Sequence, residues 1–396
     1  MKKLLESRLF LPVLVYLIAM GMILYYNLTH ELVNDGVYEY LAYLSNIKYG
    51  WTYQETLVNS AVIAVWVPAI LHKITGLDAM LVFRVWPTLL YPLMPTFTFL
   101  IARRYLGTLM TLTATALMLV NSHFLFFPDI GRVGIALGFF AGTIWALLNR
   151  RVAWCIIFAV LVVLSHYALS IIAIGLLVLV VLGTLVIRRG VPRPYVLVLV
   201  VLIVATGIWH FGIARYSGFV MLNTGLATDR SQVDGTPTMF FLIDYADFYN
   251  IESRSPEVQK AFFTTWNDEP APAKIELIAN WLVVLVVTRG LYALCRRCNI
   301  DLQLKLMGVA LFCLVGTTIF VPWLSGFYGV TRVLFTGFIV FALCFPLGVQ
   351  AITQRLNVPV YTVMVTVLVL YAVTTSGIIY LPFGLEKTFP VVVTLK

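Results

Sequence analysis

The stretch LVNSAVIAVWVPAILHKI, residues 57–74, decides how this chain is folded. It is apolar enough to enter a bilayer, and whether it crosses sets the side on which every later residue lies. The basic clusters that follow arbitrate. If residues 57–74 cross, then ARRY, NRR, IRRGVPR and CRR all face outward, against the positive-inside rule at four consecutive turns. If the stretch lies along the outer surface or dips into it, all four clusters face the cytoplasm. We therefore read it as a juxtamembrane segment.

The rest of the chain supports a bilayer setting. Hydrophobic residues make up 61% of it and charged residues 11%, with a mean hydropathy of +0.94. A soluble domain cannot cover that much apolar surface with so few charges. The 17 prolines and 14% aromatic content fit interrupted helices and interfacial belts. A net charge of +9 does not indicate nucleic acid, because no basic segment outside the apolar runs is interleaved with aromatics.

Apolar runs near 9–26, 80–102, 107–126, 131–148, 152–168, 170–187, 195–212, 275–294, 306–323, 331–350 and 359–380 predict an all-α polytopic membrane protein. The expected count is about 11 transmembrane helices in a single domain over residues 1–396. The opening MKKLLESRLF leads into an apolar core of about 18 residues, longer than a signal peptide's, so it reads as an uncleaved first span. The N-terminus is then cytoplasmic, in a plasma-membrane protein. Residues 27–79 form a first outer loop with juxtamembrane helices, and 213–274 a second, large outer loop. Only two acids, Glu6 and Asp301, fall inside; the others face outward, and none lies in the core of a span. Cys155, Cys313 and Cys344 sit in apolar runs. Cys295 and Cys298 form a lone C-x-x-C without the second pair that a zinc site needs.

Four outer elements carry residues able to do chemistry. In NDGVYEYLAYLSNIKYG, Val37, Leu41 and Leu44 form the apolar stripe of an interfacial helix. Asp35 and Glu39, four apart, share a different face. Asp35 is either a helix cap or a base. In NSHFLFFPDIGRVG, Asp129 and Arg132 are three apart at a helix start, an arrangement that an ion pair alone would also explain. In VLSHYALS a tight turn at His166 and Tyr167 separates two spans of about 17 residues, or ~26 Å, short of the ~30 Å hydrocarbon core. That turn lies below the outer surface, where irregular backbone must line protein or a wet cavity. In PWLSGFYGVTR, Arg332 either snorkels or binds a phosphate, for which its fork is suited. Brought together, the four elements would form one outward-facing cavity fit for a lipid-phosphate leaving group.

In its order of elements the chain resembles the GT-C superfamily of membrane glycosyltransferases, which includes protein O-mannosyltransferases and aminoarabinose transferases. The likeness is strongest over residues 9–190 and closest to archaeal GT-C-like membrane proteins. It rests on NDGVYEY after the first span, the juxtamembrane LVNSAVIAVWVPAIL, then VFRVWPTLLYPLMPTFTFLIARRYLG, the acidic turn FFPDIGR, the SHY turn and the late YGVTR. NDGVYEY lacks the adjacent acidic pair of the O-mannosyltransferases, and VWVPAIL lacks their His-Pro-Pro-Leu.

The resemblance implies transfer of a sugar, with inversion, from a polyprenyl-phosphate donor to an acceptor on the extracytoplasmic face. The acceptor is a glycan, a lipid or a protein. Asp35 would be the general base, and Glu39 and Asp129 would position the acceptor or an optional divalent cation. Arg132, His166 and Arg332 would stabilise the leaving phosphate, and Tyr167 would bind the substrate beside them. No other cofactor and no nucleic acid is implied. Two alternatives remain: a secondary transporter, disfavoured because no acid lies in a span core and no repeat is visible, and a non-catalytic scaffold of the same fold.

Overall fold

A computed structural model describes residues 9–30, 32, 35–50, 57–121, 124, 131–214, 271–320 and 330–376. Among these the regular structure is entirely helical. The chain runs through α1 (Phe10–Thr29), α2 (Asp35–Tyr49), a 3-10 turn (Leu57–Ser60), α3 (Val62–Thr75), α4 (Ala79–Leu90), α5 (Leu93–Tyr105), α6 (Thr108–Leu119) and α7 (Gly131–Leu148). It continues through α8 (Val152–Ser165), α9 (Tyr167–Arg188), α10 (Arg193–Thr206), a π-helical segment (Gly207–Ile213), α11 (Ala271–Arg296), α12 (Leu302–Phe320), α13 (Val330–Leu356) and α14 (Val360–Thr375).

Among the described residues seven helices, counting α4–α5 as one and α10 with its π segment as one, are long and apolar enough to cross a membrane. The protein is thus an all-α membrane protein, but seven by this measure is fewer than the eleven or so expected. The difference has a physical reason. α6, α8, α12 and α14 are apolar but shorter, within 10–17 residues in their apolar parts, and a helix rising about 1.5 Å per residue needs about 20 residues to span the hydrocarbon.

The stretch at 57–74 resolves into the 3-10 turn and α3. Gly76, at φ 67°, ends α3 by turning left-handed and donating its N–H to the His72 carbonyl. Two residues on, the Asp78 carboxylate accepts the Leu81 N–H at 2.9 Å and starts α4. α3 packs against α2 and α4, and the Trp86 indole holds it by donating to the Ile63 carbonyl at 2.6 Å.

Two helices are central: 94% of the apolar window of α7 and 89% of that of α13 is buried, against 22% for Arg193–Ile213. The surrounding helices present Leu179, Leu182, Val186 and Val200 outward. Lipid tails are as apolar as leucine, so helices in a bilayer associate by close packing rather than by escape from water. The tightest crossing joins α11 and α13. A Cβ on Gly290 would overlap the Cys344 carbonyl, and one on Gly348 would overlap the Val286 carbonyl. Since backbone on both sides blocks the added carbon, Gly290→Ala and Gly348→Ala should each destabilise by about 1–3 kcal/mol, the range for an overpacked core. Thermal unfolding in detergent would register this, and unaltered melting would place the crossing elsewhere.

At one end of the bundle, basic helix termini gather around an acid. Arg104 lies 3.1 Å from the Asp301 carboxylate, and the Tyr105 hydroxyl donates to it at 2.5 Å. Arg104 also donates to the Leu148 carbonyl at 2.7 Å, so the ends of α5 and α7 meet here. Arg297 adds a bond to Gln350 at 2.6 Å.

Candidate functional site

The opposite end of α7 holds the residues of interest. There α2 turns its polar side inward: Gly36, Glu39, Tyr43 and Asn46 are buried, while Leu41 is 56% exposed. Lipid reverses the usual sorting, since an apolar stripe is welcome outside and polar groups must find partners inside. Tyr43 donates to the Ala79 carbonyl at 2.9 Å, and its ring packs on Phe83.

Glu39 is 1% exposed. One carboxylate oxygen lies 3.3 Å from Nε of Arg132, and the other accepts the backbone N–H of Arg132 at 3.3 Å. Arg132 occupies the first turn of α7, where backbone N–H groups have no partner within the helix and the helix dipole is positive. Glu39 thus caps a helix distant in sequence and pairs with the same residue's guanidinium. Gly131 permits this approach, because a Cβ there would sit 3.1 Å from both Glu39 Oε2 and Pro87 Cγ.

The tight turn expected between α8 and α9 is present and buried, with His166 only 1% exposed. Nδ1 of His166 accepts the Leu169 N–H at 3.1 Å and so caps α9. With Nδ1 used as an acceptor, the neutral imidazole carries its proton on Nε2 and offers a donor there. The ring stacks on Tyr167 at 5.0 Å between centroids. The charges of Arg132 and Arg332 reach this buried imidazole, as does the neighbouring His210. Arg332, half-buried in the first turn of α13, and Arg132 act on one imidazole, so three of the residues chosen from sequence share one electrostatic environment.

Asp129 lies outside the described residues, as does most of the 213–274 loop. Asp35 opens α2, and its side chain too lies outside them. Among the described residues no cluster of three or more His, Cys, Asp and Glu is placed to hold a metal ion.

Two residues of this region went unremarked in the sequence. His210, fully buried, belongs to the π-helical segment after α10. Next to it the Trp209 indole donates to the Ser60 carbonyl at 3.0 Å, tying this segment to the 3-10 turn before α3. Such π turns inside helices recur at functional sites. Arg84 of α4 lines a narrow cleft with Asn27, Gly36, Glu39, Pro87 and Gly131. An ionisable residue inside an apolar run was the available signal for each, in LVFRVW and GIWHFG.

No family model matches the chain, and no curated protein matches it.

Proposed function

We propose that the protein is a glycosyltransferase that moves a sugar from a polyprenyl-phosphate donor to an acceptor on the extracytoplasmic face, with GT-C-like architecture. What supports this is convergence. An acid of the first outer loop reaches a helix start 93 positions later, and the same helix start shares its field with His166 and Arg332. A binding cavity built from distant outer segments needs that arrangement, whereas helix caps alone do not.

In this reading the chain crosses the membrane eleven times. The four shorter apolar helices α6, α8, α12 and α14 join the seven long ones, and α2 and α3 stay at the outer surface. The Arg104–Asp301 end is cytoplasmic, in keeping with its basic helix termini. The acceptor hydroxyl attacks the anomeric carbon from the face opposite the phosphate. The carbon–oxygen bond to phosphate breaks with inversion, and polyprenyl phosphate departs with the electron pair. Asp35 takes the hydroxyl proton. Glu39 is engaged by Arg132, so it fixes α2 against α7 and holds the base in position, with Asp129 and any divalent cation assisting the acceptor. Arg332 offers its planar fork to the leaving phosphate. His166, backed by Tyr167, offers its Nε2–H, and Arg132 adds positive potential where negative charge grows.

The phosphate assignment has a direct test. A ligand that binds only the folded protein raises its melting temperature by mass action. Polyprenyl phosphate should stabilise the wild type, and Arg332→Ala should abolish most of that shift while barely altering melting without lipid. An undiminished shift would make Arg332 a snorkelling anchor and move the phosphate elsewhere.

A further inference from the structure

The cleft beside Glu39 contains a charge that the packing does not account for. Arg84 stands one turn into α4, and its Nη1 donates to the Asn27 carbonyl at 2.7 Å near the end of α1. The Asn27 amide answers by donating to the Arg84 carbonyl at 3.0 Å and to the Thr88 hydroxyl at 3.1 Å. These bonds fix the stem of the arginine and one corner of its fork. Nε is buried and has no hydrogen-bond partner among the described residues, and no described acid pairs with the side chain. Glu39, which lines the cleft, is paired with Arg132.

A tether to Asn27 explains Nη1 and nothing more. A neutral amide side chain would make the same bond without burying the Nε of a guanidinium. A buried donor left unsatisfied costs about 1–3 kcal/mol, more when charged, and such groups call for a specific explanation. The guanidinium is a planar donor array suited to two oxygens of a carboxylate or phosphate. Its position matters as well. Arg84 shares the cleft with Gly36, the residue after Asp35, and with Gly131, the residue before Arg132. The described part of the cleft is narrow enough to admit an oxygen rather than a whole sugar.

We infer that Arg84 is an oxyanion-binding group, taking a carboxylate or phosphate oxygen presented at the α2 side of the site, separately from the Glu39–Arg132 pair. The binding chemistry stands on the cleft alone. That the oxyanion belongs to the sugar acceptor rests on the transfer reading, and under it the acceptor is acidic.

The test compares wild type, Arg84→Met and Arg84→Lys by thermal unfolding in detergent, without ligand and with inorganic phosphate, glucuronate or polyprenyl phosphate. Without ligand, Arg84→Met should melt at or above wild type, because it removes an unpartnered buried donor. Arg84→Lys keeps the charge and a donor for Asn27, so it stays folded if the methionine variant does not. Phosphate or glucuronate should raise the melting temperature of wild type, less that of Arg84→Lys, and not that of Arg84→Met. Loss confined to the polyprenyl phosphate arm would still place an oxyanion on Arg84 but assign it to the lipid. If no anion stabilises wild type, or if the variants respond as wild type does, the inference is overturned. Failure of the transfer reading shows separately, as a wild-type protein that phosphate or glucuronate stabilises and polyprenyl phosphate does not.

Discussion

Glu39→Ala is expected to cost about 3–5 kcal/mol of stability, the range for removing one partner of a buried ion pair. The cause is local. Arg132 would remain in a nearly dry environment, 7% exposed, without the carboxylate that faces it. The first turn of α7 would also lose the acceptor of the Arg132 N–H. Glu39→Gln should lose less, since its amide oxygen still accepts that N–H while the charge attraction is gone. The comparison separates capping from ion pairing. If Glu39→Ala melts with wild type, water reaches the pair and α2 is not anchored through it.

The second large effect concerns the chemistry. Asp35→Asn keeps the size of the side chain and its ability to cap α2, yet cannot accept a proton at neutral pH. Release of polyprenyl phosphate from the lipid-linked sugar should fall about 100-fold or more, within the usual worth of a general base. Melting temperature should hold, because capping survives. A variant retaining more than half of wild-type turnover would make Asp35 a cap, and the base would have to be sought in another acid.

Features with a local spacing rule could be read from the sequence, and those made by tertiary contact could not. The placement of Asp35 and Glu39 away from Leu41 follows from a four-residue interval on one helix. The SHY turn follows from the length of an apolar run that must contain two helices. Both are found. The partner of Arg132 is another matter. Asp129, the near candidate at three residues, lies outside the described residues, while among those described an acid that contacts Arg132 comes from α2, and no periodicity links the two segments. His210 and Arg84 are single polar residues in runs that hydropathy treats as uniform. Only the helices packed around them, and for His210 the π-helical turn, give them a role. The number of crossings was blurred for a similar reason: among the described residues α6 has 12 and α8 has 14, each shorter than the apolar run it was counted from.

The claim that the site handles a lipid-linked sugar is most directly tested by native mass spectrometry of the wild-type protein extracted from its own membranes. The bound mass should correspond to a polyprenyl phosphate, with or without a sugar, and polyprenyl phosphate added after delipidation should restore it at one equivalent. A protein that carries only bulk phospholipid and takes up no added polyprenyl phosphate would contradict the account.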